Sequence, residues 1–425
     1  MKAIGIDIGT TGISGILLDA ENGCVLRSVT MNSNAFIKTE HNWEKLQDVD
    51  KIITIAKDIL DSLICKDVCS IGVTGQMHGI VYYDKNGKSV SNLYTWQDGR
   101  GDLEYNGTTY AKVLDSCSGY GCVTDFYNLV NNLVPVNAVG YCTIADYFVM
   151  SICNKKSPIL HTTNAASFGC YDLNNNKFIN GYAPQITGGY DIVGKYNNIP
   201  VSVAIGDNQA SVLASCREDD VLVNVGTGGQ VSIISNNIIV ADNIESRPFF
   251  EGKYLIVGAS LCGGRAYSLL KDFFAQVFRT KIQISDDEVY QVMAEMIENI
   301  KHSTMIADTR YAGTRADKNI NGKFINITTE NFNPSEFIFA VLNGMARELF
   351  DLYKKMNFNK SSLVGSGNGV RKNKQFIKRS EELFGLKMMV PLYNEEASFG
   401  AAIFSLIAVG VYSGVFDAQK ILKYL

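Results

Sequence analysis

The sequence predicts an α/β protein of two domains, built as a duplication. Three observations predict it. The chain has 425 residues, long enough for two or three domains with sizeable cores. Residues 3–19, AIGIDIGTTGISGILLD, read as two apolar strands around a Gly/Thr turn, and residues 220–235, DVLVNVGTGGQVSIIS, repeat that pattern. Between and after them strand and helix periods alternate with no low-complexity linker, as in a mixed sheet covered by helices. The repeat sets a boundary near residues 215–220. It gives a first domain over 1–216 and a second over 217–425.

The elements follow in order. Strands 3–8 and 13–18 form the opening hairpin. Over 43–64, Leu46, Val49, Ile52, Ile53, Ala56, Ile59, Leu60 and Leu63 recur at helical period and predict one buried face. VCSIGVTG, 68–75, is a short strand ending at glycine. Residues 79–90 read as a hairpin turning at Asn86-Gly87. VSVAIGD, 201–207, is a strand followed by a short helix over 211–217. Helices are expected at about 262–279, 286–301, 335–356 and 373–384. SLVGSGNG, 362–369, is a strand ending in glycines, and KMMVPL, 387–392, is the last strand.

Composition excludes several classes. Apolar residues make up 46% and charged residues 19%, an ordinary globular profile. The net charge of −4 leaves no basic footprint for nucleic acid and no polybasic membrane patch. Ten cysteines occur without a Cys-x-x-Cys pair, and with only four histidines a zinc site is not expected. The first strand starts almost at Met1, so reduced thiols in a cytoplasmic protein are the expectation. Residues 397–416 form 20 positions without a charge, long enough to span a bilayer. Ser398, Ser405, Ser413 and several glycines dilute the stretch, and a helix buried between layers is expected instead.

A Gly/Thr turn between antiparallel strands leaves backbone N–H groups free to face an anion. Glycine admits a phosphate closely, and threonine adds a hydroxyl. Gly9, Thr10 and Thr11, then Gly226, Thr227 and Gly228, are therefore phosphate candidates. There is no Gly-Lys-Ser/Thr loop and no dinucleotide fingerprint after the first strand. One such turn is more often a plain hairpin. Two that open two similar halves suggest grips closing on one polyphosphate from opposite sides of a cleft. Asp7 sits in an otherwise apolar strand beside the first turn, where a carboxylate needs a partner. The magnesium of Mg-ATP is the natural one, and turn N–H groups are the alternative.

GIDIGTT, NVGTGG and VGSGNG together resemble the FGGY carbohydrate kinases, over nearly the whole chain. The resemblance implies an actin-like ATPase fold with two RNase H-like domains and ATP in a central cleft. It makes the two turns phosphate hairpins. GASLCGGRAYSLL resembles the family's Gly-Gly segment, which would put Gly264 near the phosphates. Gly365, Ser366, Gly367 and Asn368 would approach the adenine. Residues 311–328 resemble a Leu-x-Gly-Glu-Arg segment more loosely, with Thr314 in place of glutamate and Asn326 in place of glycine. EEASFGAA, 395–402, is similar to a segment that precedes a buried helix.

The sugar side has its own motifs. GQMHG, 75–79, follows a strand end, where α/β proteins place ligand groups. Gln76 and His78 offer polar atoms and Met77 an apolar wall, though a histidine there serves equally as a structural group. TWQDGR, 95–100, brings together Trp96, Asp98 and Arg100. That mixture suits a polyol, and the alternative is an Asp98–Arg100 pair beside a packed tryptophan. TNAASFG, 163–169, resembles the Ala-Ser segment of the same kinases. In AIGDNQAS, 204–211, Asp207 alone reads as a helix N-cap. The resemblance instead makes it the base that takes the proton of the acceptor hydroxyl, with Asn208 touching the sugar. GQMHG implies a ketose rather than glycerol. The motifs together are most similar to kinases of sedoheptulose, while Asn208 is more typical of kinases of D-xylulose. The expected partners are the sugar and Mg-ATP, with no nucleic acid and no membrane, and a homodimer is a family-level expectation. Asp7 and Asp207 argue against a non-catalytic sensor, and the sugar-side motifs argue against an ATPase without an acceptor.

Overall fold

The computed structural model describes residues 1–179, 181–314, 317 and 319–425. It divides into two compact units. The first comprises Met1–Ala214, Arg247–Lys253 and Glu395–Lys423; the second comprises Ser215–Ser246, Tyr254–Asn394 and Tyr424–Leu425. All ten cysteines are free thiols.

The first unit is built on a seven-stranded sheet. Strand β1 (Lys2–Ile8) pairs antiparallel with β2 (Gly12–Asp19), and β2 pairs antiparallel with β3 (Val25–Asn32). Strand β4 (Val68–Gly75) lies parallel to β1 on the other side. Beyond it come β5 (Ile199–Ser202) and β6 (Ile205–Gly206), both parallel to β4. Ala3, Ile4 and Ile6 are fully buried, so β1 reads as a continuous apolar run rather than an alternation. Helix α1 (Val49–Leu63) covers β2 with Ile52, Ala56, Ile59 and Leu60. It starts later than the apolar period suggests, because the Asp48 carboxylate caps it by accepting from the Lys51 N–H; Leu46–Gln47 form a short strand instead.

The uncharged stretch near the C-terminus becomes a helix over Glu396–Ala408 that lies on β1 and β4. Two glycines allow it. A Cβ at Gly5 would stand 1.8 Å from the Ser398 carbonyl oxygen, and one at Gly72 1.8 Å from that of Ala401. Helix backbone therefore rests directly on strand backbone. Paired hydroxyls, Ser14 with Ser398 at 2.7 Å and Ser70 with Ser405 at 2.8 Å, close the interface. This docking corrects the expected domain limits: Glu395–Lys423 belongs to the first unit, not to a domain running over 217–425. Among the described residues no helix is long and apolar enough to cross a membrane.

The second unit repeats the plan. Strands β7 (Asp220–Val225) and β8 (Gly229–Ser235) form the second Gly/Thr hairpin. Strand β9 (Tyr254–Ser260) pairs antiparallel with β8, and β10 (Ser362–Ser366) lies parallel to β7. The order β10-β7-β8-β9 matches β4-β1-β2-β3 in both sequence and direction. The repeat in sequence is thus a repeat in topology. The helix over Pro334–Met356 carries Ile338, Val341, Leu342, Met345 and Leu349 into a core shared with Val223, Ile233 and Ile256. The helices here are α4 (Gly263–Phe278), α5 (Asp286–Met296), α6 (Pro334–Met356), α7 (Asn368–Arg371) and α8 (Lys374–Phe384). Arg315, Ala316 and Lys318, part of the loosely matching segment 311–328, lie outside the described residues. Asn326 of that segment has φ 60°, a left-handed conformation that asparagine tolerates better than most residues.

Candidate active site

Strands β1, β4 and β6 run parallel and end side by side, with Ile8 paired to Gly75 and Gly75 to Gly206. Carboxyl ends of parallel strands are where such sheets place ligand groups. These three ends deliver Gly9 and Thr10, then Gln76, Met77 and His78, then Asp207 as the first residue of helix α3 (Asp207–Ser215). Gly206 lets two side chains close in: a Cβ there would meet Met77 Sδ at 2.8 Å and Gln209 Oε1 at 2.6 Å. Met77 thus packs against the strand end that carries Asp207. Helix α3 begins four residues earlier than the sequence pattern suggests, since VSVAIGD is two short strands broken at Val203-Ala204.

Around this edge runs a ring of amides. Trp96 Nε1 donates to Thr10 Oγ1 at 3.0 Å, and that hydroxyl donates to Gln76 Oε1 at 3.3 Å. Gln76 Nε2 donates to Gln47 Oε1 at 2.9 Å, and Gln47 Nε2 to the Thr10 carbonyl at 2.7 Å. The Thr10 hydroxyl is thus engaged by both Trp96 and Gln76. The indole remains 47% exposed, a flat apolar face beside amide groups. Gln47 was not legible, because a lone glutamine in a helical-looking stretch carries no signal.

His78 has φ 71°, which costs a non-glycine residue about 1–3 kcal/mol. Three contacts hold it there. Its N–H donates to Ser167 Oγ at 3.1 Å, its Nδ1 donates to the Ser167 carbonyl at 2.7 Å, and its ring stacks on Tyr120 at 4.2 Å.

Asp98 and Arg100 are corrected. Both are buried, joined by Arg100 Nε to Asp98 Oδ1 at 2.6 Å and Nη2 to Oδ2 at 3.2 Å. Asp98 Oδ2 also accepts from the Lys45 N–H, and Arg100 Nη1 donates to Asn128 at 2.6 Å. The guanidinium lies among the rings of Trp43, Tyr94 and Tyr127. The two-residue spacing lets the carboxylate take both its own turn's N–H and the arginine fork. The pair braces the loop bearing Trp96.

Asp207 is half-buried, and burial pushes its carboxyl up to about 6. The N–H groups of Asp207 and Asn208 and the Arg247 guanidinium restrain the rise. Asn208 Oδ1 accepts from Arg247 Nη1 at 3.2 Å. Arg247, from a segment forty residues along the chain, has no motif to announce it. Asp7 is pushed to about 8, first by burial and then by the charges of Asp207 and Glu395. Its Oδ1 is buried with no hydrogen-bond partner, so turn N–H groups do not satisfy it. An orphaned carboxylate oxygen amid like charge fits a divalent cation. Among the described residues no three His, Cys, Asp or Glu side chains are grouped to hold one by themselves. Asp7 would therefore be the residue to offer an oxygen to a magnesium ion there.

In the second unit the Gly226–Gly228 turn is clamped to the start of α4. Gly264 N–H donates to the Gly226 carbonyl and Arg265 N–H to that of Thr227, each at 3.0 Å. A Cβ at Gly263 would lie 2.2 Å from the Gly228 carbonyl carbon, and one at Gly264 2.3 Å from the Gly226 oxygen, hence the Gly-Gly pair. A cavity of about 960 Å³ opens beside it, of a size that holds a nucleotide. Gly226, Thr227, Gly264 and Asn368 line it, and so do Tyr267 and Tyr290, which no motif marks. Gly228, Gly365, Ser366 and Gly367 do not. Gly228 packs on Gly263 and Gly365 on Met388; Ser366 Oγ accepts from Asn224 at 2.8 Å. Gly367, at φ 80°, presses on the Val225 carbonyl. They shape the wall from behind.

This fold is that of a two-domain sugar kinase. Among solved structures it is shared by a ligand-bound xylulose kinase from Lactobacillus acidophilus, with a TM-score of 0.84 and 17% identity over 100% of this chain and 92% of that one. A xylulose kinase from Rhodospirillum rubrum gives 0.85 and 15%, covering 100% and 93%. Residues 2–107 match the N-terminal domain of the FGGY family of carbohydrate kinases. Sedoheptulokinase of Mus musculus is 25% identical over 95% of this chain and 97% of its own length, and that of Homo sapiens is 26% identical over the same shares. The N-terminal match and the full-length relatives together mark the chain as a carbohydrate kinase.

Proposed function

We propose that the chain phosphorylates the terminal primary hydroxyl of a ketose, and that the ketose is sedoheptulose, giving sedoheptulose 7-phosphate. The observation that carries the reading is the convergence of three parallel strand ends, which sets Asp207 beside Gln76 and Met77. Phosphoryl transfer asks a protein for positioning, charge neutralisation and a group to take the hydroxyl proton. Asp207 takes that proton. A carboxyl raised to about 6 is ionised at neutral pH, yet more basic than an ordinary aspartate. Gln76, Met77, His78 and the open face of Trp96 receive the sugar. Arg247 holds Asn208 in place next to the base. The Gly226–Gly228 hairpin and the cavity beside it receive ATP. Asp7 would help hold a magnesium ion, which would supply charge neutralisation for the transferred phosphoryl group.

Sedoheptulose rests on the motif pattern and on the full-length sedoheptulokinase relatives. D-Xylulose is the second reading, favoured by Asn208. The test is ADP release with Mg-ATP against sedoheptulose, D-xylulose, D-ribulose, L-xylulose, glycerol and no sugar. Turnover on sedoheptulose alone supports the reading. Turnover on a pentulose keeps the chemistry and moves the substrate. Hydrolysis of ATP indifferent to every sugar removes the acceptor site from the account.

A further inference from the structure

Strand β6, which delivers Asp207, has only two residues and, among the described residues, pairs with β4 alone. Its other side is held by the six-residue helix α2 (Thr162–Ser167). Thr163 Oγ1 accepts the Gly206 N–H at 3.1 Å, the peptide group directly before Asp207. Asn164 Nδ2 donates to the Ala204 carbonyl at 3.3 Å and to Asp146 Oδ1 at 3.0 Å. All of these side chains are at least 98% buried.

The grip is fixed from behind. His161 Nδ1 accepts the Thr163 N–H at 3.2 Å, so it carries a lone pair, and the Thr163 hydroxyl 2.9 Å away points its proton there. That leaves an oxygen lone pair for Gly206. Burial keeps His161 neutral, so the Thr163 hydroxyl keeps this acceptor at neutral pH. On the Asn164 side, Asp146 Oδ2 accepts from the Thr143 hydroxyl at 2.7 Å. At its other end the same helix seats His78 through Ser167. One short helix thus sets both the turn that faces the sugar and the strand end that carries the carboxylate.

We propose that Thr163 and Asn164 are positioning residues for Asp207, holding β6 from the side where the sheet offers no neighbour. The inference rests on Asp207 being the base. Displacing a reacting carboxylate by about 1 Å lowers turnover on the order of 10- to 100-fold. Nucleotide affinity should not follow, since the Gly226–Gly228 hairpin and the cavity beside it lie in the second unit, away from Thr163 and Asn164.

The experiment is steady-state kinetics of Thr163→Val, Thr163→Ser, Asn164→Ala and Asp207→Asn with Mg-ATP and the best ketose. Thr163→Val keeps the shape and loses the hydroxyl. Its kcat is expected to fall about 10-fold or more with KM for ATP within about twofold, and Thr163→Ser to recover most of the loss. Asn164→Ala, approached from the other side of β6, is expected to show the same split should Thr163→Val prove insoluble. A kcat within about twofold of the parent in both variants overturns the inference. So does a loss that serine fails to recover, because that marks packing rather than the hydrogen bond. Asp207→Asn separates the two readings. Full turnover there refutes the base itself, whereas an inactive Asp207→Asn beside active Thr163→Val and Asn164→Ala refutes only the positioning.

Discussion

At the residue scale the site is a contest between burial and charge. Asp207 and Asp7 both sit at strand ends and both are raised, but only Asp207 has a guanidinium and two N–H groups to restrain it. A base held near 6 must be deprotonated to act. We expect kcat/KM for the sugar at saturating Mg-ATP to fall about tenfold per pH unit below about 6, and Asp207→Asn to lose about 10²–10⁴ in kcat. A flat profile between pH 5 and 8 would remove Asp207 from the role. Asp7 predicts a stability effect of the opposite sense to the usual carboxylate. Its folded-state value of about 8 exceeds the ordinary 3.8, so the folded state holds its proton more tightly than the unfolded chain. Its contribution is present at acid pH and is lost as pH rises through that window. Asp7→Asn in metal-free buffer should therefore melt higher than the parent at pH 8, by on the order of 1–3 kcal/mol after discounting for partial exposure, and no higher at pH 4. Thermal melts at the two pH values decide it. The residues legible in the sequence, Gln76, His78 and Asp207, each follow a strand end. Gln47 and Arg247 were hidden because each reaches the site from a distant stretch, and a single polar residue has no period; Thr163 stood in the marked segment 163–169 without a role of its own. Asp98 and Arg100 had the right chemistry for a polyol and were claimed by each other.

At the element scale, glycine decides how closely layers approach. Gly72 lies in a strand whose limits the sequence pattern places at 68–75, as the structure has them. Its purpose was not legible, since the Ala401 carbonyl it admits lies more than three hundred residues away. Gly72→Ala would put a methyl 1.8 Å from that oxygen, so the C-terminal helix must lift from β4. Overpacking of this kind typically costs about 1–3 kcal/mol, and a backbone obstacle cannot rotate aside. We expect a Tm lower by several degrees, with KM for ATP unchanged in the protein that remains folded. An unchanged Tm would mean that the helix does not dock there. The apolar period alone does not mark a helix start. The Asp48 cap delays α1 past its first apolar residues, and α3 opens at Asp207 before its apolar run begins.

At the scale of the whole molecule, duplication was legible because both hairpins carry Gly and Thr in a β-branched frame. The return of Glu395–Lys423 to the first unit was not, because docking between distant segments leaves no local pattern. What duplication provides is a division of labour. The amide ring, His78 and Asp207 are assembled wholly from the first unit, and the clamped hairpin with its cavity wholly from the second. Each half-site is held by its own hydrogen bonds, so each should order around its own ligand without the other. Hydrogen exchange tests this, since a ligand bound to the folded state suppresses local opening where it binds. A non-hydrolysable Mg-ATP analogue alone should slow exchange at residues 226–228 and 263–265, leaving 76–79 and 163–167 as they were. The ketose alone should do the reverse. If the sugar slowed exchange only once nucleotide was present, the acceptor half-site would be unfinished in the first unit. The convergence of β1, β4 and β6 would then be insufficient to make it.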